Sequence, residues 1–264
     1  MYAEFTNKHV VVTGGSKGIG LSCARGFLLE GAKVTIVSRS QQNLDLAVSN
    51  LKTQFGDKTP IFSVASDLTD PVEALSAVHS AKSQFGEIDI LINSAGAAKR
   101  YAPEDLNPKA WMDAMQAKFF SYINIIDPVV KQMADRRSGV IVNIIGMGGK
   151  FATPLHLAGG SANAALMLAT TGLATAYGPF EIRINGINPG LTLTERLKEG
   201  ISVEAKNSNK SMDEVLEAST QKIPLRRLAM PEEVANVALF LSSSQASYVT
   251  GQILGMEGSV YPVI

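Results

Sequence analysis

The chain has one cysteine, Cys23, three histidines and no excess of either charge, and each scarcity removes a class of function. A lone thiol can close no disulfide within the chain, and on the inward side of a helical pattern it reads as a small buried hydrophobe. The histidines and the cysteine show no ligand spacing, so no metal is expected. Lys and Arg together number 24, as do Asp and Glu. No basic run interleaved with aromatics marks a nucleic-acid surface, and no nucleic-acid partner is expected. The stretch from Met1 to His9 lacks the apolar core of a secretory signal, which makes the cytoplasm the expected location. Between Phe151 and Phe180 there is no Asp, Glu, Lys or Arg, as in a membrane span, but Pro154, Gly159, Gly160, Ser161 and Asn163 interrupt the run. Burial in protein, at a subunit interface, is expected there, with no membrane partner.

What is present is a regular alternation. Short β-branched runs at His9–Thr13, Lys33–Ser38, Pro60–Ser66, Ile88–Asn93, Gly139–Ile145, Arg183–Asn188 and Gln252–Met256 are separated by helix-length segments. This pattern predicts an α/β fold, a doubly wound parallel sheet of seven strands, and the length suits one domain over residues 1–264. Ligands of such sheets bind beyond the C-terminal strand ends, where Gly14, Ser38, Asp67, Asn93, Ile145 and Pro189 fall. Residues 191–222 turn polar and helical, with Ser211 and Glu214 spaced as a capping box, and are read as a lid over that crevice.

The segment Thr13-Gly14-Gly15-Ser16-Lys17-Gly18-Ile19-Gly20 directly follows the run Val10-Val11-Val12 and precedes a helical pattern stopped by Gly31. Glycines there let the backbone approach a pyrophosphate while the helix start aims its free N–H groups at the anion. Gly14, Ser16, Lys17, Gly18, Ile19 and Gly20 are therefore expected around a dinucleotide in a Rossmann-like domain. An acidic residue at the end of the second strand would bond the ribose 2′-hydroxyl and repel a 2′-phosphate, but this chain has Ser38 followed by Arg39. Arg39, with Lys17 beside it, favours NADP(H). The alternative is that both are solvated surface charges.

Taken with further motifs, the chain resembles the short-chain dehydrogenase/reductase family over nearly its whole length. Asp67-Leu68 is similar to the family's adenine-binding acid, Asn93-Ser94-Ala95-Gly96 to its Asn-Asn-Ala-Gly segment, and Asn188-Pro189-Gly190 with Thr194 to its nicotinamide-side residues. Ile223-Pro224-Leu225, Pro231-Glu232-Glu233-Val234-Ala235 and Thr250-Gly251-Gln252 resemble its closing section. The resemblance implies hydride transfer between NADP(H) and a small carbonyl or alcohol substrate. It also implies a homodimer or homotetramer joined through helices near Trp111–Ile126 and Ala162–Ala176. The expected cofactor set adds Arg39, Asp67, Leu68, Asn93, Ala95, Gly96, Asn163, Pro189, Gly190 and Thr194 to the glycine loop.

The chain departs from the family at the catalytic residues. Counting from Ile141-Val142-Asn143 and from Trp111, the Ser, Tyr, Lys and Asn positions fall on Gly146, Gly159, Asn163 and Lys118, and no tyrosine has a lysine four residues on. An acid/base group is worth ~10²–10⁴ in rate. Lys and Asn have in effect exchanged helices, so Lys118 is the candidate oxyanion holder or proton donor, and Asn163 a ribose contact. The alternative for Lys118 is a side chain that snorkels to solvent or pairs at an interface. His156, three residues before Gly159, is a second catalytic candidate, with Ser161 and Tyr122 behind it. Gly146 and Gly159 suggest an enlarged substrate space. Two further readings remain: an inactive NADP(H)-binding sensor or partner subunit, and a non-redox enzyme on the same scaffold.

Overall fold

The computed structural model describes residues 3–96 and 99–261. Among them, strands His9–Thr13 (β1), Lys33–Ser38 (β2), Ile61–Ala65 (β3), Ile90–Asn93 (β4), Gly139–Ile144 (β5), Ile182–Pro189 (β6) and Ile253–Met256 (β7) form one sheet in the order β3-β2-β1-β4-β5-β6-β7. Every pairing is parallel. The winding reverses between β1 and β4, which opens a crevice at their C-terminal ends.

Helices cover both faces because the strands are apolar on both. Val10 and Val12 point into a cluster with Phe27, Leu44 and Leu239 of helices Gly18–Leu29 (α1), Gln41–Phe55 (α2) and Pro231–Ser242 (labelled α9 below). Val11, one residue out of phase, packs with Val78, Ile125 and Leu166 on the other face. Those residues belong to Pro71–Phe85 (α3), Ser121–Asp135 (α5) and Leu157–Tyr177 (α6). The helix Pro108–Ala114 (α4) runs through a π-helical turn, Met115–Phe120, directly into α5. The expected helix Trp111–Ile126 is therefore one rod with a widened turn in its middle. No described helix is long and apolar enough to cross a membrane.

Residues 191–222 carry Glu195–Ser208 (α7) and Met212–Gln221 (α8). Ser211 and Glu214 close the expected capping box at the start of α8. Ile201, Ala205 and Val215 give this excursion its own small core. Its two ends are tied together, since Leu193 N–H donates to the Ala229 carbonyl (2.8 Å) and Ala229 N–H to the Leu191 carbonyl (3.1 Å).

Candidate active site

The glycine loop is built by close approach. Gly14 has φ +65°, and a Cβ there would lie 2.8 Å from the Ser94 carbonyl oxygen. A Cβ on Gly20 would collide with the Gly14 carbonyl. Thr13 fixes the neighbouring turn, accepting at Oγ1 from the N–H groups of Ser94 (3.1 Å) and Ala95 (3.2 Å). Lys17, at the N-cap of α1, makes no side-chain cap, and the first intrahelical bond runs from Leu21 N–H to the Lys17 carbonyl at 3.2 Å. The N–H groups ahead of it are left for an anion. The space before Gly18 is open up to Thr194, whose methyl would be 3.4 Å from a Cβ added there. Ser16 Oγ donates to Ser38 Oγ (3.0 Å), which draws the end of β2, with exposed Arg39, to the same mouth as Lys17. Neither cation has a carboxylate partner among the described residues. A donor-lined, uncapped cradle with two unpaired cations beside it fits a phosphorylated dinucleotide.

Not every expected cofactor residue has a side chain turned to that cradle. Asn93 is fully buried, accepting from Thr13 Oγ1 (3.3 Å) and donating to Asn143 Oδ1 (2.9 Å), while Asn143 donates to Thr170 Oγ1 (2.9 Å). This ladder across β1, β4, β5 and α6 sets the height of the Ala95-Gly96 turn. Asp67 Oδ1 accepts from both the N–H (3.0 Å) and the hydroxyl (2.9 Å) of Thr69, which holds the loop after β3 with Leu68 buried beneath it. Gly190 packs against Glu257, where a Cβ would lie 2.9 Å from the Glu257 Cα. Pro189 ends β6 beside it.

The floor lies between the loop after β5 and the start of α6. A Cβ on Gly149 would lie 2.7 Å from Ala164 N, and one on Gly160 2.6 Å from the Gly148 carbonyl, so the loop and helix touch backbone to backbone. Gly159 is buried in the first turn of α6. Gly146 has φ +120°, and a Cβ there would meet Asn163 Nδ2 at 3.4 Å. Asn163 is buried, and its Oδ1 accepts from no donor, as a residue awaiting a hydroxyl partner would.

Lys118 sits in the π-helical turn and is only 7% exposed, which excludes the snorkelling reading. Gly96, at φ +87°, allows the loop after β4 to lie against this turn; a Cβ there would strike the Ala117 carbonyl. Lys118 Nζ donates to Tyr122 Oη (2.9 Å) and to the Ile144 carbonyl (3.2 Å), and Tyr122 Oη donates to the same carbonyl (2.5 Å). Burial, reinforced by the Arg196 charge, pushes the Lys118 ammonium down to about 7, and burial pushes the Tyr122 phenol up. A neutral amine has two N–H donors, and both are engaged here; an ammonium has a third.

His156 closes the short turn Pro154–His156 and leans over Gly148, where a Cβ would lie 2.7 Å from its ring Cδ2. Its Nδ1 is buried without a partner, and burial followed by the charges of Arg100, Arg196 and Lys118 lowers its pKa. Lys118, Asn163 and His156 therefore meet at one crevice. Ser161 is exposed on α6. Tyr122, Arg100 and Arg196 were the residues sequence reasoning undervalued. Lys118 and Tyr122 are four apart on one helical face, and reading that spacing from lysine to tyrosine would have paired them. Nothing local marks the two arginines. No cluster of metal-ligating side chains occurs among the described residues.

Comparison with known proteins agrees with this architecture. A family model described as Enoyl-(Acyl carrier protein) reductase matches residues 14–259. The chain is 32% identical over 260 residues to a 3-oxoacyl-(acyl-carrier-protein) reductase of Chlamydia muridarum, covering 98% of this chain and 100% of that protein. L-sorbose reductase from Gluconobacter frateurii, solved with NADPH and L-sorbose, superposes with a TM-score of 0.92 at 30% identity, covering all of both chains. An NADPH-bound short chain oxidoreductase from Pseudomonas aeruginosa PAO1, described as containing an atypical catalytic center, superposes at 0.88 with 27% identity, over 100% of this chain and 99% of that one. The sheet order, the glycine cradle and these matches agree: the chain belongs to the short-chain dehydrogenase/reductase family and is an oxidoreductase that takes a nicotinamide cofactor.

Proposed function

We propose that the protein is an NADP(H)-dependent oxidoreductase interconverting a carbonyl and an alcohol, with Lys118 in place of the missing tyrosine as proton donor. The observation that carries this reading is the buried Lys118 Nζ, anchored by Tyr122 and the Ile144 carbonyl in a crevice that also holds Asn163 and His156. NADPH is supported by unpaired Lys17 and Arg39 at the cradle mouth and by the NADPH-bound relatives. When bound, the cofactor supplies the hydride.

The remaining work falls to the chain. N–H groups at the start of α1 would hold the pyrophosphate, Arg39 and Lys17 the 2′-phosphate, and Asn163 a ribose hydroxyl; Asp67, Ala95, Pro189 and Thr194 would line the path between. Lys118 would donate its third proton to the substrate oxygen, leaving a neutral amine that keeps both anchoring bonds. In oxidation the same amine takes the hydroxyl proton. A group poised at about 7 suits both directions. Tyr122 is a positioning residue, since its own proton is held by the Ile144 carbonyl. Residues 191–222 act as the lid, because Arg196 on the first turn of α7 acts on Lys118, Tyr122 and His156 alike. The protein works as a homodimer or homotetramer, for which exposed Trp111, Met112, Phe120 and Leu168 on the α4–α6 side provide the apolar contact.

A single-turnover measurement with NADPH and a panel of ketones, quinones and acyl thioesters tests the reading. Wild type oxidises the cofactor in the presence of at least one carbonyl class, and Lys118→Met loses ~10²–10⁴ in that rate without losing NADPH affinity. Equal rates in the two proteins would overturn Lys118 as donor. Tight NADPH binding with no oxidation across the panel would favour the sensor reading instead.

A further inference from the structure

The loop after β5 is poorly held by its own bonds. Gly146-Met147-Gly148-Gly149 has three glycines in four residues, and glycine loses more conformational freedom on ordering than any other residue. Within the loop, Lys150 N–H (2.9 Å) and Phe151 N–H (3.1 Å) share the Met147 carbonyl, and Gly149 N–H reaches the Gly146 carbonyl at 3.4 Å. Yet this loop is the floor of the crevice, with Gly148 under the His156 ring and Gly149 against the backbone of Asn163 and Ala164. Its far end needs an anchor from outside.

The segment after β7 reaches that end. Gly258 (φ +64°) and Ser259 (φ +67°) turn the chain, and Val260 N–H closes the turn on the Glu257 carbonyl at 3.4 Å. A serine keeps a positive φ only where its surroundings hold it. On one side, a Cβ on Gly258 would lie 2.6 Å from Ile223 Cγ2 and 3.7 Å from Leu225 Cβ, so the turn sits on the segment leading out of residues 191–222. On the other, Tyr261 lies flat on Phe151, with ring centroids 3.9 Å apart and planes 15° from parallel. Just before the turn, β7 touches the same loop, since a Cβ on Gly255 would lie 3.9 Å from Met147 Sδ. Residues 257–261 therefore bridge the root of the lid and the floor of the crevice.

We propose that Tyr261 is a positioning residue, whose ring, stacked on Phe151, holds the glycine-rich floor loop in the form that receives the substrate, while the turn at Gly258 ties that floor to the base of the lid. This inference rests on the oxidoreductase reading and adds to it a residue remote in sequence from every other part of the site. With the stack in place, the cost of ordering the loop is met before the substrate arrives. Without it the loop is in its receiving form only part of the time, and apparent substrate affinity falls by that fraction while the chemical step on a seated substrate is unchanged. The phosphate cradle is built from β1, α1 and the end of β2, so cofactor affinity stays.

Variants of the full chain separate the ring from its hydroxyl and the pair from its members. Trypsin reads the loop without turnover, because Lys150 is exposed beside Phe151. Cleavage after Lys150, identified by mass, is expected to be ~3–10-fold faster in Tyr261→Ala and to return to the wild-type rate in Tyr261→Phe, which keeps the stack. With a carbonyl compound that wild type reduces, KM rises by a similar factor in Tyr261→Ala and is restored in Tyr261→Phe, while kcat and NADPH affinity stay within about twofold. Adding Tyr261→Ala to Phe151→Ala raises KM no further, because the two rings act as one contact. Equal cleavage or equal KM in wild type and Tyr261→Ala, a Tyr261→Phe variant as impaired as Tyr261→Ala, an NADPH affinity that falls in step with KM, or full additivity of the two alanine variants overturns the proposal. A wild type that reduces no carbonyl removes the oxidoreductase reading and this role with it. That failure shows in the wild-type assay, whereas failure of the anchor shows only between variants.

Discussion

Replacing Lys118 by methionine should make the protein more stable while removing its activity, because the buried amine opposes folding. Burial moves the ammonium from 10.5 down to about 7. At pH 7 the unfolded chain holds that proton fully and the folded chain only half, which costs the folded state about 4 kcal/mol. Methionine keeps the length and flexibility of the stem, and Tyr122 keeps its bond to the Ile144 carbonyl. The bonds from Nζ to Tyr122 and Ile144 are lost, about 1 kcal/mol each. Lys118→Met is therefore about 2 kcal/mol more stable at neutral pH, a rise of ~4–8 °C in unfolding midpoint for a chain of this size. The sign of the pH dependence follows from the lowered pKa. From about 7 up to 10.5 the unfolded state binds more protons, so wild-type stability climbs with pH through that window and the variant lacks the climb. The two proteins should be equally stable near pH ~9, where the remaining penalty matches the lost bonds. Denaturant unfolding of both proteins across this range checks it. A variant less stable than wild type at neutral pH, or a gap that does not change with pH, would refute the account of a desolvated lysine.

The pH dependence of turnover reads the same group: carbonyl reduction should fall above about pH 7 as the ammonium is lost, and alcohol oxidation should rise over the same range. Neither limb should survive in Lys118→Met. Arg39→Ala should weaken NADPH binding by ~10-fold or more and leave NADH within about twofold, measured by calorimetry; equal losses for both would remove the 2′-phosphate assignment. Gly146→Ser, which puts back the family's serine, should lower stability by ~1–3 kcal/mol without raising turnover, because φ +120° strains any side chain. Asn143→Leu should cost ~1–3 kcal/mol in denaturant unfolding by stranding the Asn93 amide N–H groups inside the ladder, while the Thr170 hydroxyl keeps its bond to the Leu166 carbonyl.

Most of the frame was legible in the sequence. The strands lie within two residues of their expected ends, since a parallel sheet buried on both faces demands uninterrupted apolar runs such as Val10-Val11-Val12. The capping box at Ser211 was legible because its chemistry spans only four residues. At the site, counting located Lys118 opposite Asn163. Tyr122 ranks only behind His156 in the sequence, because a tyrosine-then-lysine spacing does not describe a lysine four residues ahead of its tyrosine. Asn93 was expected beside the cofactor, and its side chain lies instead in the ladder that holds the cradle's shape. Gly146 and Asn163 lie close enough that a Cβ on the glycine would touch the amide at 3.4 Å, a contact between residues on different elements that no spacing rule records.

By itself, the sequence determined the order of elements and the glycine cradle. Both are written in short windows through backbone conformation and hydrophobic period. Only the tertiary structure decided that Lys118 is buried rather than solvated, that one carbonyl of β5 anchors it together with Tyr122, and that Arg100, Arg196 and His156 share its field. The charge state of a lysine depends on how much water surrounds it and on which charges stand nearby. Both are set by chain segments far apart in sequence that become neighbours only once the sheet has closed its crevice.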